Sequence, residues 1–379
     1  MNNKIIITLA LWVCMIAAAC SDSHDGPEPT AKDPVRTVLV YMVANNSLGY
    51  DDFDNSDLTE MRQAALAGGL RNSRWLVYHH AYGQPAKLLE LDATGTFKTL
   101  KVYTTDKSSV TVARMKETLD DMHRLAPAKS YGLVLWSHAT GWLQNGIAES
   151  PGKQRSFGDD GGRYMNITSL AEALEDEHFD FIYADCCYMA CAEVAYELRH
   201  AADYLVASAA ELPANGMDYS VNMPMLTADT PNLVGAARST FEMYAQHKEN
   251  YNKNWCTMSV IDMRGMDHLA RLTAELYQSA TFNNRAEFQP FSSGRCYHYD
   301  LANFVESMLP ADPMASLWHQ ALDQTVIYSA TTPFIIGNVA VRTHCGLTTF
   351  ILFNDNDRST RNYNTLQWYS DVARHQPLP

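Results

Sequence analysis

The sequence predicts an α/β protein, a mainly parallel sheet sandwiched by helices, with a looser α+β region toward the C-terminus. Three observations point there. Apolar runs alternate with helical periodicity from Arg36 to about Ala207, which is how right-handed βαβ units read in sequence. The first run, RTVLVYMV at Arg36–Val43, is apolar on consecutive positions, as a strand covered on both faces requires. With 379 residues, 46% of them hydrophobic, the chain can bury a large core without needing a disulfide framework.

The elements follow in order. After the strand Arg36–Val43 comes a polar loop, Asn45 to Ser56. A helix is expected from Asp57, with Glu60 three residues on as a capping box, ending near Gly68-Gly69. Trp75–Tyr78 is the second strand, and Ala93–Tyr103 carries turn and strand signals. Val112, Met115, Leu119 and Met122 repeat at three and four, so Ser109–Leu125 is an amphipathic helix stopped by Pro127. The strand Tyr131–Leu135 follows, then a polar, Gly-rich stretch, Asn145–Gly162, long for an ordered connection. Helix Thr168–Glu177, strand Phe179–Ala184, a helix through Glu193–His200 and strand Tyr204–Ala207 continue the alternation. Beyond about Pro231 the pattern loosens. A helix near Val234–His247, strand Thr257–Asp262, helix Met266–Ser279 and late strands at Pro333–Val341 and Leu347–Phe353 remain legible.

The N-terminus is set apart from the fold. Lys4 and the apolar run Ile5–Ala19 precede Cys20, so residues 1–19 read as a secretory signal ending at a lipobox-like site, with Cys20 as the lipidated first mature residue. Residues 20–35 then form a flexible tether. The expected plan is a catalytic domain over 36–230 and a C-terminal region over 231–379 that completes or flanks the sheet. The chain is expected to be a monomer in the bacterial cell envelope, touching membrane only through its lipid, with display on the outer-membrane surface suggested by the acidic tether. A net charge of −14, with no Lys/Arg cluster, excludes a nucleic-acid partner. Of eight cysteines, Cys14 leaves with the signal, Cys186, Cys187 and Cys191 cluster, and Cys256, Cys296 and Cys345 are scattered. Buried, reduced cysteines with one reactive thiol are expected.

Two segments carry chemistry. Trp136-Ser137-His138-Ala139-Thr140-Gly141-Trp142 and Asp185-Cys186-Cys187-Tyr188-Met189-Ala190 each follow a strand, so a histidine and a cysteine emerge at strand ends roughly fifty residues apart. The carboxyl ends of strands in an open α/β sheet are where ligands and reactions sit. A cysteine is a nucleophile as its thiolate, which a neighbouring imidazolium and a helix N-terminus favour. His138 can pass the proton on to a leaving amine. The helix opening after Cys187 would place its positive end beside the sulfur.

At these residues the chain resembles the clostripain family of cysteine peptidases, of the caspase-like clan. His138, Gly141 and Trp142 match the family's histidine block. Asp185, Cys187, Met189 and Ala190 match its nucleophile block, and Glu193-Val194-Ala195-Tyr196-Glu197-Leu198 matches in full. The opening VLVYMVANNSL, with Asn45 and Asn46, is similar too. The resemblance implies a caspase-like sheet and a His138–Cys187 dyad acting through an acyl-enzyme. Backbone N–H groups of Ala139 and Cys187 would form the oxyanion hole. It also implies cleavage of protein or peptide substrates after Arg or Lys, with Asp185 in the S1 pocket, where a carboxylate can meet a guanidinium through two hydrogen bonds. Glu211 is the nearby acid in Ala207-Ser208-Ala209-Ala210-Glu211-Leu212-Pro213, which lacks the paired acids common in the family. Members cut themselves between the two blocks, where Lys153, Arg155 and Arg163 stand here. Ala139 and Cys186 replace a glycine and an alanine. Ala139 keeps the N–H but not glycine's freedom at positive φ.

Competing readings are few. His79-His80 lacks a second ligand cluster at zinc-like spacing, so no metal is expected. Asp51 to Asp57 lacks the EF-hand glycine and distant Glu and reads as a solvated capping loop. No cofactor is expected, although calcium dependence within the family leaves room for a weak site. Gly158 to Gly162 is a loop without the lysine of a phosphate cradle. Asp185 could instead cap the following helix. Cys187 and Cys191 do not have Cys-x-x-Cys spacing, which speaks against a thiol oxidoreductase. The function expected is an extracytoplasmic cysteine endopeptidase. The alternative is a degenerate peptidase-fold lipoprotein that binds peptide or glycan.

Overall fold

Eight consecutive buried residues, Arg36–Val43, form β1 in the middle of a nine-stranded sheet. The computed structural model describes residues 34–144, 156–246, 255–279, 287–294, 296–308 and 313–378. In chain order the strands are β1, β2 (Ser73–His80), β3 (Lys87–Leu91), β4 (Phe97–Val102), β5 (Ser130–Trp136), β6 (Phe157–Asp160), β7 (Arg163–Met165), β8 (Phe179–Asp185), β9 (Ala202–Ala207), β10 (Thr257–Asp262), β11 (Tyr299–Asp300) and β12 (Val326–Thr331). The main sheet runs β12-β10-β9-β8-β5-β1-β2-β3-β4. Its five inner strands, from β9 to β2, are mutually parallel. Antiparallel pairs close it at both sides, β3 and β4 beyond β2, and β10 and β12 beyond β9.

Strand side chains alternate between faces. Leu39, Tyr41 and Val43 of β1 pack with Met115, Leu119 and Met122 of α3 (Val112–Leu125) and with apolar residues of α4 (Ile167–Ala173), α5 (Ala192–Leu198) and α8 (Met266–Ser279). Val38, Val40 and Met42 face the other way, onto α2 (Phe53–Leu66), α6 (Tyr219–Leu226) and α7 (Leu233–Ala245). The short α1 (Ser47–Tyr50) sits between β1 and α2. The sheet is thus covered on both sides, as its runs of buried residues require.

Several sequence expectations are corrected here. The Asp57–Glu60 capping box does not exist, because α2 begins at Phe53 with Asp52 in the left-handed region at φ 69°. The acidic stretch that reads as solvated is partly buried instead. Asp54 Oδ2 lies 2.7 Å from His79 Nε2, and Asp57 Oδ2 accepts the Trp136 indole N–H at 2.6 Å. Gly158–Gly162 is not a loop alone. It contributes to the β6–β7 hairpin, where Asp160 pairs with Arg163 and Gly161 and Gly162 both adopt positive φ, as a two-residue primed turn demands. The Pro333–Val341 and Leu347–Phe353 runs form only two-residue strands, Phe334–Ile335, Val339–Ala340 and Thr348–Thr349. The edge strand there is β12, whose half-exposed residues give weak alternation.

Residues 1–33 and 145–155 lie outside the described residues, and with them the signal peptide, Cys20, most of the tether, Lys153 and Arg155. Among the described residues no helix is long and apolar enough to cross a membrane.

Candidate active site

β5 and β8 are neighbouring parallel strands, and their paired register ends with Trp136 opposite Asp185. Two residues past that row, on each strand, stand His138 and Cys187. Alternation keeps Trp136, His138, Asp185 and Cys187 toward one side, while Cys186 turns into the opposite core and is buried. A cavity of about 250 Å³ opens there, and His138, Cys187, Asp185 and Glu211 all line it. The sequence-predicted acid, base and nucleophile positions are therefore brought to one opening. A larger cavity, about 380 Å³, lies at the opposite strand ends around Arg36 and Asp203 and is lined by neither cysteine nor histidine.

The backbone around Cys187 is bent to present the sulfur. Tyr188, the next residue, has φ 61°, a left-handed conformation that a bulky residue adopts only when its surroundings enforce it. Those surroundings are visible. Tyr188 N–H donates to Ala210 O at 2.9 Å, its ring stacks on His298 with centroids 4.6 Å apart, and its hydroxyl donates to Glu211 Oε1 at 3.3 Å. The chain then runs extended to Cys191, which is the residue before α5. The helix expected after Cys187 thus opens at Ala192, five residues on, so the expected placement of its N-terminus beside the sulfur is not met. In its place the Leu212 N–H points at Cys187 Sγ from 3.3 Å. Cys191 is buried in the core.

His138 is half-buried, and its Nε2 lies 2.8 Å from Ser47 Oγ. Ala139 is buried and bridges to Phe157 of β6 rather than lining the cavity. Its φ is not positive, so alanine is accommodated there without strain. The glycine that this block requires is Gly141, at φ 66°, where a Cβ would sit 2.5 Å from Tyr188 O.

Asp185 is almost wholly buried and accepts from Met217 N–H at 3.1 Å and from the Tyr219 hydroxyl at 3.0 Å. It caps no helix. Burial pushes its carboxyl up to about 7, against the lowering effect of those two donors. Beneath it Asp57 is pushed up to about 9 by burial and by the nearby Asp185 charge. Glu211 is also raised by burial. Gly216, at φ 61°, lets the chain pass over Asp185, since a Cβ there would lie 2.6 Å from its carboxylate oxygen. Trp255 and Ile336 complete the cavity from far along the chain. None of Tyr188, Ser47, Gly216, Tyr219, Trp255 or Ile336 carries a local sequence signal for this role.

Other predicted residues lie elsewhere. Arg163 is exposed at the start of β7 and borders a separate polar pocket with His80 and Asp160. Among the described residues no group of three His, Cys, Asp or Glu side chains is placed to hold a metal ion.

Comparison with known proteins adds family evidence. A model of the clostripain family matches residues 40–378. A solved structure described as an inactive zymogen C11 protease from Parabacteroides distasonis is 29% identical, with a TM-score of 0.78, covering 91% of this chain and 99% of that one. A secreted C11 cysteine protease from Bacteroides thetaiotaomicron, solved with an irreversible peptide inhibitor, is 30% identical, with a TM-score of 0.76, covering 89% and 99%. A secreted C11 cysteine protease of the same organism, called iotapain, is 24% identical with a TM-score of 0.78 and covers 90% and 99%. No curated protein matches the chain.

Proposed function

The chain belongs to the clostripain family of cysteine proteases, and on that premise we propose that His138 and Cys187 are its catalytic dyad. The observation that carries this is their common placement, two residues past the last paired row of adjacent parallel strands, on a single cavity. His138 takes the thiol proton while Cys187 Sγ attacks the scissile carbonyl carbon. The carbonyl oxygen becomes an oxyanion held by N–H groups, for which Ala139 and Cys187 are the candidates. When the carbon–nitrogen bond breaks, His138 returns the proton to the leaving amine. Water then hydrolyses the thioester and frees Cys187. The Leu212 N–H supplies a donor that a thiolate can use.

Asp185 and Glu211 would receive a basic P1 side chain. A guanidinium entering the cavity favours the ionised form of both acids, whose carboxyls burial otherwise holds protonated more readily than usual. The same reading makes Lys153, Arg155 and Arg163 the points of self-cleavage, Cys20 the lipid attachment site and the protein a monomer displayed outside the cytoplasm. Both thetaiotaomicron relatives are described as secreted, which supports the last point.

The test is direct. Cys187→Ala and His138→Ala should each lower kcat by about 10³-fold or more, with unchanged thermal unfolding. An electrophilic arginyl or lysyl probe should label Cys187, mapped by mass spectrometry. Full activity in either variant removes the dyad. Absence of labelling with any P1 residue favours a binding protein on a peptidase fold.

A further inference from the structure

We propose that Ser47 is the positioning residue of the histidine, accepting a hydrogen bond from His138 Nε2–H and leaving Nδ1 to exchange the proton with Cys187. The inference rests on the dyad reading above.

Its first support is the 2.8 Å separation of Ser47 Oγ and His138 Nε2, across 91 residues of sequence. An imidazole has two nitrogens, and one committed to a hydroxyl leaves the other for the thiol. In the neutral ring able to receive the thiol proton on Nδ1, Nε2 carries the hydrogen, so Ser47 Oγ must accept. In the imidazolium both nitrogens are protonated and Ser47 still accepts. One hydrogen bond therefore serves both protonation states, and it disfavours the tautomer that could not take the proton.

The second support is that both ends of this hydrogen bond are anchored independently of it. Asn46, buried just before α1, accepts from Leu48 N–H at 2.8 Å through its Oδ1, so Ser47 is not needed to cap the helix. The Asn46 amide donates to Val43 O at 2.9 Å, to Asp159 O at 2.8 Å and to Ser137 Oγ at 3.3 Å. Ser137, the neighbour of His138, in turn donates to Val43 O at 2.8 Å. The end of β1 thus holds α1 and the His138 turn by the same carbonyl. Gly49 lets α1 fold back this closely, because a Cβ there would fall 1.9 Å from Ala44 O. Ser47 itself is exposed and adds nothing to the core. Its hydroxyl has a partner in the site and no evident structural duty.

The experiment compares Ser47→Ala, Ser47→Thr, His138→Ala and wild type on one peptide substrate. Ser47→Ala should lower kcat about tenfold with KM within about twofold, the size expected for one neutral hydrogen bond acting on the chemical step. Ser47→Thr, which keeps the hydroxyl, should recover most of the loss. Nitrogen NMR of the imidazole should show Nε2–H as the dominant neutral tautomer in wild type and a mixture in Ser47→Ala. Unchanged kcat and tautomer in Ser47→Ala, while His138→Ala is inactive, overturns the positioning role and leaves the dyad standing. An active His138→Ala removes the dyad and this proposal together. Equal loss in the Ala and Thr variants also overturns it, since the hydroxyl would then not be the relevant group.

Discussion

Asp57 is an aspartate that a folded chain holds most easily as the neutral acid. It sits almost fully buried under the cavity, accepts the Trp136 indole N–H and lies near a second buried acid, Asp185. Its pKa rises from about 3.9 in an unfolded chain to about 9 when folded. Between those values the folded state holds a proton that the unfolded state has released, so stability from this group is full below about pH 4 and is lost as pH rises toward 9. Asp57→Asn keeps the acceptor and removes the titration. The variant should match wild type near pH 4 and gain on it progressively above, with each 1 kcal/mol appearing as about 1–2 °C in Tm for a chain of this size. Melting curves from pH 4 to 9 that run parallel for the two proteins would contradict this. At this scale the sequence was half legible. The shared placement of His138, Cys187 and Asp185 on one cavity could be read because strand ends and neighbouring motif residues mark them. Asp57 could not, since acidic residues in a row look solvated until Trp136 and His79 arrive from other strands.

At the scale of elements, the proposed active site depends on how β5 lies against β8. Gly132 of β5 faces the ring of Phe181 on β8, and a Cβ at that position would come within 2.5 Å of the ring. Gly132→Ala should overpack the interface, at a cost of about 1–3 kcal/mol, and misalign the two strand ends. Activity should fall by more than the loss of folded protein accounts for, as measured by active-site titration against circular dichroism. Unchanged specific activity per folded molecule would show that the ends tolerate the shift. Elements with strong periodicity were legible to the residue, as with β1, β10 and α8. The misses have physical causes. α6 contains Pro224, which argues against a helix, yet the proline stands in its second half and the helix survives. β6 and β7 have four and three residues, too few for alternation to register. The helix expected through Glu193–His200 is α5; what was not legible is the segment, pinned by Ala190 N–H to Ser208 O, that separates it from Cys187.

At the scale of the molecule, the parallel inner sheet and its coverage by helices on both faces were legible from strand–helix alternation. The C-terminal region was expected to complete or flank the sheet, but the antiparallel places of β10 and β12 and the reach of Ile336 to the cavity were not legible, because these contacts join distant parts of the chain. Arg36 opens β1 and is clamped by Asp180 at 2.6 Å and by Ala228 O at 2.7 Å, and Pro34 O accepts from Lys129 N–H just before β5. The polypeptide therefore enters the fold at one pole, while His138 and Cys187 stand at the other, about eight residues or roughly 26 Å along the strand axis. If the N-terminus is fixed to a lipid bilayer, the mouth of the enzyme looks outward, away from the plane of attachment. Vesicle-bound full-length protein and a soluble form beginning at Pro34 should then hydrolyse a dissolved protein substrate with kcat/KM within about twofold of each other. A large handicap for the bound form would mean that the cleft is turned toward the lipid.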